Sequence, residues 1–162
     1  MTHDAVAPDD SGDGRDETDN ERADRNWDEL MQELRVMQTG TQVLSGFLLA
    51  VAFQPRFTEL DDVQRGLYIV LVCLAATATI LSLTPVSMHR QLFGLRRKPD
   101  LVRFGARVVK WALLVNGALA IGVTTLVVDF ALSRWSAAIA LTLGTVVVLA
   151  LWLLLPRRVN RT

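Results

Sequence analysis

A chain of 162 residues with 51% hydrophobic side chains and 7% aromatics is too oily for an ordinary water-soluble domain of its length. Its 17 basic and 17 acidic residues cancel, but between two unlike pieces: residues 1–33 hold twelve acids against three arginines, and residues 34–162 hold five acids against fourteen Lys or Arg. The neutral total therefore says nothing about partners, while the single cysteine, Cys73, excludes an intrachain disulfide and any cysteine-built metal or iron–sulfur centre.

Residues 1–17, opening "MTHDAVAPDDSGDGRD", are rich in Asp, Gly, Pro and Ser with almost no apolar content. They cannot bury enough surface to offset the entropy of ordering, and read as a disordered acidic tail. The start is acidic and polar, without the basic and apolar regions of a cleaved secretory signal, so insertion is expected through internal segments. Thr18 and Glu21 have the S/T-x-x-E spacing of a capping box, which predicts a helix start. Over 18–35, Trp27, Leu30, Met31, Leu34 and Met37 recur at steps of three and four, with acids and arginines around the rest: an amphipathic helix. Its stripe runs on through Thr41 and Val43 into "LSGFLLAVAF" and meets no strong stop before Gln54-Pro55, so one helix or two nearly continuous ones are expected, wet at the start and lipid-facing at the end.

Four apolar spans follow from this pattern, at about 36–54, 67–86, 108–130 and 137–155, each near the ~20 residues that cross about 30 Å of hydrocarbon. Helices satisfy their backbone polar groups internally, so the predicted fold is all-α: an integral membrane bundle of four transmembrane helices (36–156) preceded by a cytoplasmic amphipathic helix and followed by a basic cytoplasmic tail, 157–162. With the N-terminus inside, fourteen Lys or Arg fall in cytoplasmic segments and three, Arg56, Arg65 and Arg134, outside. The asymmetry predicts a multi-pass protein of the bacterial inner membrane with both termini cytoplasmic. Phe53, Phe57, Tyr68, Trp111, Trp135 and Trp152 fall near span ends, as interfacial aromatics do. Pro85 and Pro156 read as terminating spans, and Cys73, inside "LYIVLVCLAATATILSL", as a buried inert thiol.

Gln38 and Gln42 share one face of the first span; they read as interhelical hydrogen-bonding groups or as the lining of a polar cavity. Small residues four apart (Gly46 and Ala50, Ala118 and Gly122, Ala140 and Gly144) favour close helix packing within the chain or in a homo-oligomer. The histidines are His3 and His89, and no metalloprotease, phosphate-loop or nucleophile-elbow motif is present, so neither an enzyme nor a bound cofactor or metal is expected. Nothing points to nucleic acid; the expected partners are the lipid bilayer and another copy or another membrane protein. Ion-coupled transport needs an intramembrane acid or polar group, for which Glu33, Asn116 and Asp129 are the candidates. Asp129 reads more simply as an exposed ion pair with Arg134 across the turn "FALSRW". Secondary transporters use duplicated halves with broken helices, which four uninterrupted spans do not supply.

The acidic segment Asp4–Glu33 and the basic loop "HRQLFGLRRKPDLVRFGARVVK" fall on the same predicted side. The loop sets topology and meets lipid headgroups, whereas the 18–35 helix, repelled by an anionic leaflet yet carrying Trp27, Leu30 and Leu34 to bury, is expected to dock on it as a latch.

The stretches "RDETDNERADRNWDELMQELRVMQTGTQVLSGFLLAVAFQPRF" and "LSLTPVSMHRQLFGLRRKPDLV" resemble an uncharacterised family of small actinobacterial four-span membrane proteins. The resemblance runs from about Asp16 to Pro156. It implies the same topology, a domain of unknown function, and a sodium:proton antiporter label sometimes transferred to members automatically. Function is accordingly expected in a non-enzymatic accessory or regulatory membrane subunit, or alternatively in a small cation/proton antiporter working as an oligomer. The residues around which it is expected are Trp27, Glu29, Glu33, Gln38, Gln42, His89 and Arg90 near the cytoplasmic face, with Asn116 and Asp129.

Overall fold

The computed structural model describes residues 18–92 and 98–154, and among these every regular element is helical. Helix α1 spans Asp19–Ala52 without a break. It begins where the spacing predicts: the Thr18 hydroxyl accepts the Glu21 N–H at 3.4 Å and the Glu21 carboxylate accepts the Thr18 N–H at 2.9 Å. The amphipathic segment and the first apolar stretch are thus one rod, about 50 Å long at 1.5 Å per residue. It stops where Pro55 opens a 3-10 turn, Pro55–Glu59.

Helix α2, Asp62–Leu92, is capped reciprocally by Asp61 and Gln64: the Asp61 carboxylate accepts the Gln64 N–H at 2.9 Å, and the Gln64 side-chain oxygen accepts the Asp61 N–H at 3.1 Å. Pro85 does not terminate it. The ring is buried inside the helix, and α2 continues beyond it at the loss of one backbone hydrogen bond, with Ser82 and Thr84 hydroxyls bonded to the carbonyls of Ala78 and Ile80 just before. Pro156 lies outside the described residues.

Helix α3 covers Lys98–Ala131, so the expected basic loop is mostly the ends of two helices, with residues 93–97 between them outside the described residues. Pro99 stands in the first turn of α3, where its missing N–H costs nothing. Helix α4, Arg134–Leu149, starts at a Ser133 cap and runs into a π-helical turn, Ala150–Leu154.

The short connections bring residues 53–61 and 131–134 to one end of the bundle, the Pro55 end; Thr18 marks the other. Helix α3 packs against each of the other three. Leu48 of α1, Tyr68, Leu71 and Ala75 of α2, and Leu119, Val123 and Leu126 of α3 form one core cluster. Leu34 of α1 with Val109 and Ala112 of α3 forms a second, nearer the Thr18 end. Gly122 lies under Leu71, Gly144 against Ile121, and Gly117 under the Trp152 ring, where a Cβ would come within 2.8 Å of Cη2. The expectation of small residues at close approaches is met at Gly122 and Gly144. Gly46 has no neighbour within the chain and lies beside an exposed Ala50. Cys73 is exposed on the side of α2 rather than buried, because the core face of that helix is taken by Leu71, Ala75 and Ala78.

Among the described residues three helices are long and apolar enough to cross a membrane: 62–88, 102–131 and 134–152. Helix α1 is not among them, since its charges run to Arg35 and Gln38, Thr39, Thr41 and Gln42 follow, leaving residues 43–52 as its longest apolar stretch.

Gly122→Val, which forces a side chain against Leu71, is expected to destabilise the bundle by about 1–3 kcal/mol. Gly46→Ala should leave stability unchanged or slightly raised; thermal melts of the two variants in one detergent check both.

Candidate functional site

The side chains with chemistry lie along the α1–α3 seam and at its Pro55 end. These two helices run parallel, so contacts climb in step. Nearest the Thr18 end, Gly105 of α3 offers a bare backbone on which Trp27 and Leu30 of α1 seat; a Cβ there would stand 3.3 Å from Leu30 Cδ1 and Trp27 Cζ3. Trp27 therefore meets the basic segment on its helical part. On the outer side of α1, Asp28, Glu29 and Glu33 are exposed, and Glu29 pairs with Arg25 at 3.6 Å. The side chains of His89 and Arg90 lie outside the described residues.

Further along, Thr41, 2% exposed, meets Asn116 of α3. The Thr41 hydroxyl lies within reach of both the Asn116 side-chain oxygen and the Met37 carbonyl, the latter at 2.9 Å; its one proton serves either acceptor. The Asn116 amide donates to the Ala112 carbonyl at 2.9 Å, which fixes its orientation. Asn116 is thus engaged with a partner helix, but through Thr41. Gln38 is half-buried and Gln42 exposed, and among the described residues neither amide bonds across helices. The physical reason is angular: Gln38 and Gln42 sit roughly a quarter turn off the line of Leu34, Thr41 and Leu48 that faces the core.

At the Pro55 end, Arg134 at the start of α4 holds two carboxylates. Its Nε forms an ion pair with Asp129 Oδ1 at 3.1 Å, and its Nη2 donates to Asp61 Oδ2. The Asp129–Arg134 pairing is the expected one, with two differences. The Asp129 side chain is only 7% exposed, and the arginine also reaches Asp61, so the start of α2, the end of α3 and the start of α4 share one clasp. The backbone N–H of Gln64 holds the Asp61 carboxyl below its ordinary value, and Arg134 acts in the same direction. Close by, the Arg56 guanidinium lies over the Phe130 ring, 4.4 Å from its centroid, and pairs with Glu59 at 3.2 Å. Among the described residues no group of three or more His, Cys, Asp or Glu side chains is arranged to hold a metal ion.

Thr41, Asp61 and Arg56 were not singled out from the pattern. For Thr41 the signal was present: Trp27, Leu34, Thr41 and Leu48 repeat every seven residues, which marks a buried hydroxyl on the packing stripe. For Asp61 only its separation of three from Gln64 pointed to a cap, and nothing in the sequence pointed to Arg134.

Among the described residues this is an all-helical protein with membrane-compatible helices, joined by a polar seam and an ionic clasp. The chain belongs to DUF6328, a family of unknown function whose model matches residues 16–156. No curated protein and no solved structure matches it.

Thr41→Val strands the Asn116 oxygen at a helix interface and is expected to cost about 1–2 kcal/mol, against less than about 0.5 kcal/mol for Gln42→Leu; chemical or thermal unfolding in detergent reads the difference. Because the folded-state pKa of Asp61 is lowered, its contribution to stability is present above the unfolded carboxyl value of 3.8 and is lost as pH falls through the folded value. Melting temperature should therefore drop on acidification below about pH 4, and by less in Asp61→Asn.

Proposed function

We propose that the chain is a four-span protein of the inner membrane with both termini in the cytoplasm, and that it works as a non-enzymatic accessory or regulatory subunit. The fourth span is α1 itself. Its residues 41–52 pack beside residues 116–126 of α3, in the middle and second half of an apolar helix, so the two share one solvent. With α3 in hydrocarbon, α1 is there too, and its exposed Val43, Phe47, Leu49 and Phe53 face lipid. The orientation rests on the excess of Lys and Arg at the Thr18 end.

The observation that carries the accessory reading is the seat of Trp27 and Leu30 on Gly105. It consumes the apolar face of the projecting part of α1, where an interfacial helix would turn that face to the membrane. What remains outward is polar, with Asp28, Glu29 and Glu33 presented on a firm support, as suits recognition by another protein.

The antiporter reading is favoured by one feature, the nearly buried Asp129 carboxylate. Against it, that carboxylate sits at the end of α3 beside Arg134 rather than at mid-helix.

Sodium- or pH-gradient-driven flux in liposomes containing the pure protein separates the two. The expected result is no flux above empty liposomes. Flux that Asp129→Asn or Glu33→Gln abolishes would overturn the accessory reading. A photo-crosslinker at Glu29 in native membranes is expected to give a heterologous adduct.

A further inference from the structure

The Pro55 end contains a crevice of about 230 Å³ between α1, the 3-10 turn and α3. Phe47 and Val51 form one wall, Leu126, Val127 and Phe130 the other, and Phe57 and Arg56 stand at the turn. The lining is almost wholly apolar, which suits a hydrocarbon chain. On the four-span reading, on which this inference rests, the crevice opens sideways into the lipid, and its mouth lies at the membrane–water boundary.

Arg56 lines that mouth, and Glu59 is paired with it. Arg56 uses Nε to hold Glu59, and its guanidinium carbon lies over the Phe130 ring, which holds the group at the turn. Among the described residues its two Nη groups have no protein acceptor. The other cations at this end are engaged: Arg134 by Asp61 and Asp129, and Arg65 by the Leu60 carbonyl at 3.4 Å. The Nη edge of Arg56 is a fork suited to two oxygens of one phosphate. Glu59 is exposed and bonds Arg56 through Oε2, so its other oxygen is open to a donor. The pair is neutral overall, a cation beside an anion, and its complement is a headgroup with the opposite order of charges: a phosphate followed by an ammonium group.

We propose that this crevice binds one phospholipid with a primary-amine headgroup, its acyl chain between α1 and α3, its phosphate on Arg56 and its ammonium on Glu59. An anionic glycerol headgroup would meet Arg56 equally well but brings only neutral hydroxyls to Glu59, without the charge-assisted bond of an ammonium group. A choline headgroup keeps the charge but has no N–H to donate.

The test uses the full chain in nanodiscs holding phosphatidylethanolamine, phosphatidylglycerol and phosphatidylcholine in equal amounts, with the lipid retained on the released protein identified by native mass spectrometry. Wild type is expected to retain phosphatidylethanolamine several-fold over the other two. Glu59→Gln should keep a bound lipid but lose the preference, Arg56→Gln should lose most retention, and Val127→Trp, which fills the crevice, should lose it entirely. A retained mixture matching the nanodisc, or retention unchanged in all three variants, would overturn the site. Glycerophosphoethanolamine, which lacks chains, is expected not to compete; competition would overturn the role of the crevice. Resistance to alkaline carbonate extraction is measured on the same preparations, so that failure of the four-span reading registers separately from failure of the lipid site. Arg56 and Glu59 are exposed, so these two changes leave the fold intact.

Discussion

Close approach to α3 is the constraint on which this bundle depends. In hydrocarbon, one apolar surface gains little by leaving lipid for another, so helices associate through fit and through polar contacts. Helix α3 provides fit to each neighbour: Gly105 receives Trp27 and Leu30 of α1, Gly122 receives Leu71 of α2, and Gly117 receives Trp152 beyond α4. In each case a missing side chain on α3 is matched by a large one opposite. Dispersion over such matched surfaces is small per atom and large in sum.

Polar contacts join each helix to a neighbour. Thr41 and Asn116 tie α1 to α3, the Tyr68 hydroxyl ties α2 to the Leu48 carbonyl of α1 at 3.1 Å, and Arg134 gathers α2, α3 and α4. A hydroxyl or amide left unmatched in such surroundings is costly, so these contacts select one register among the many that apolar packing alone would tolerate. Asp129 obeys the same logic in ionic form, as a carboxylate nearly out of solvent beside a fixed guanidinium.

Local rules were legible where the chain obeys them locally. The Thr18–Glu21 box fixed the start of α1 and Gln54-Pro55 its end. Apolar length gave the later helices, though the basic run after Pro85 read as a loop when its residues are good helix formers on both sides of 93–97. Pro85 itself misled, because a proline is read as a stop, while a helix held from its flanks tolerates the lost bond. Burial was less legible. Apolar context made Cys73 look buried, and amides drew attention to Gln38 and Gln42. The side chains that matter were set by angle: Thr41 falls in phase with Leu34 and Leu48, and Cys73 does not fall in phase with Leu71 and Ala75. Contacts between distant segments, such as Asp61 with Arg134 and Arg56 with Phe130, leave no periodic trace, since they arise only when separate helix ends meet.

The wide turn at Ala150–Leu154 has a consequence for phase. A regular α-helix advances about 100° per residue, so continued unchanged from Gly144, which faces Ile121, it would carry Leu151 toward α3 and swing Trp152 roughly 80° aside. A π turn takes up more than four residues per revolution and so lags behind that count. The lag carries position 152 back toward α3, and its indole lies against Gly117. The turn thus acts as a vernier, a fractional slip that lets a helix built in step with one half of its neighbour lock into the other half as well.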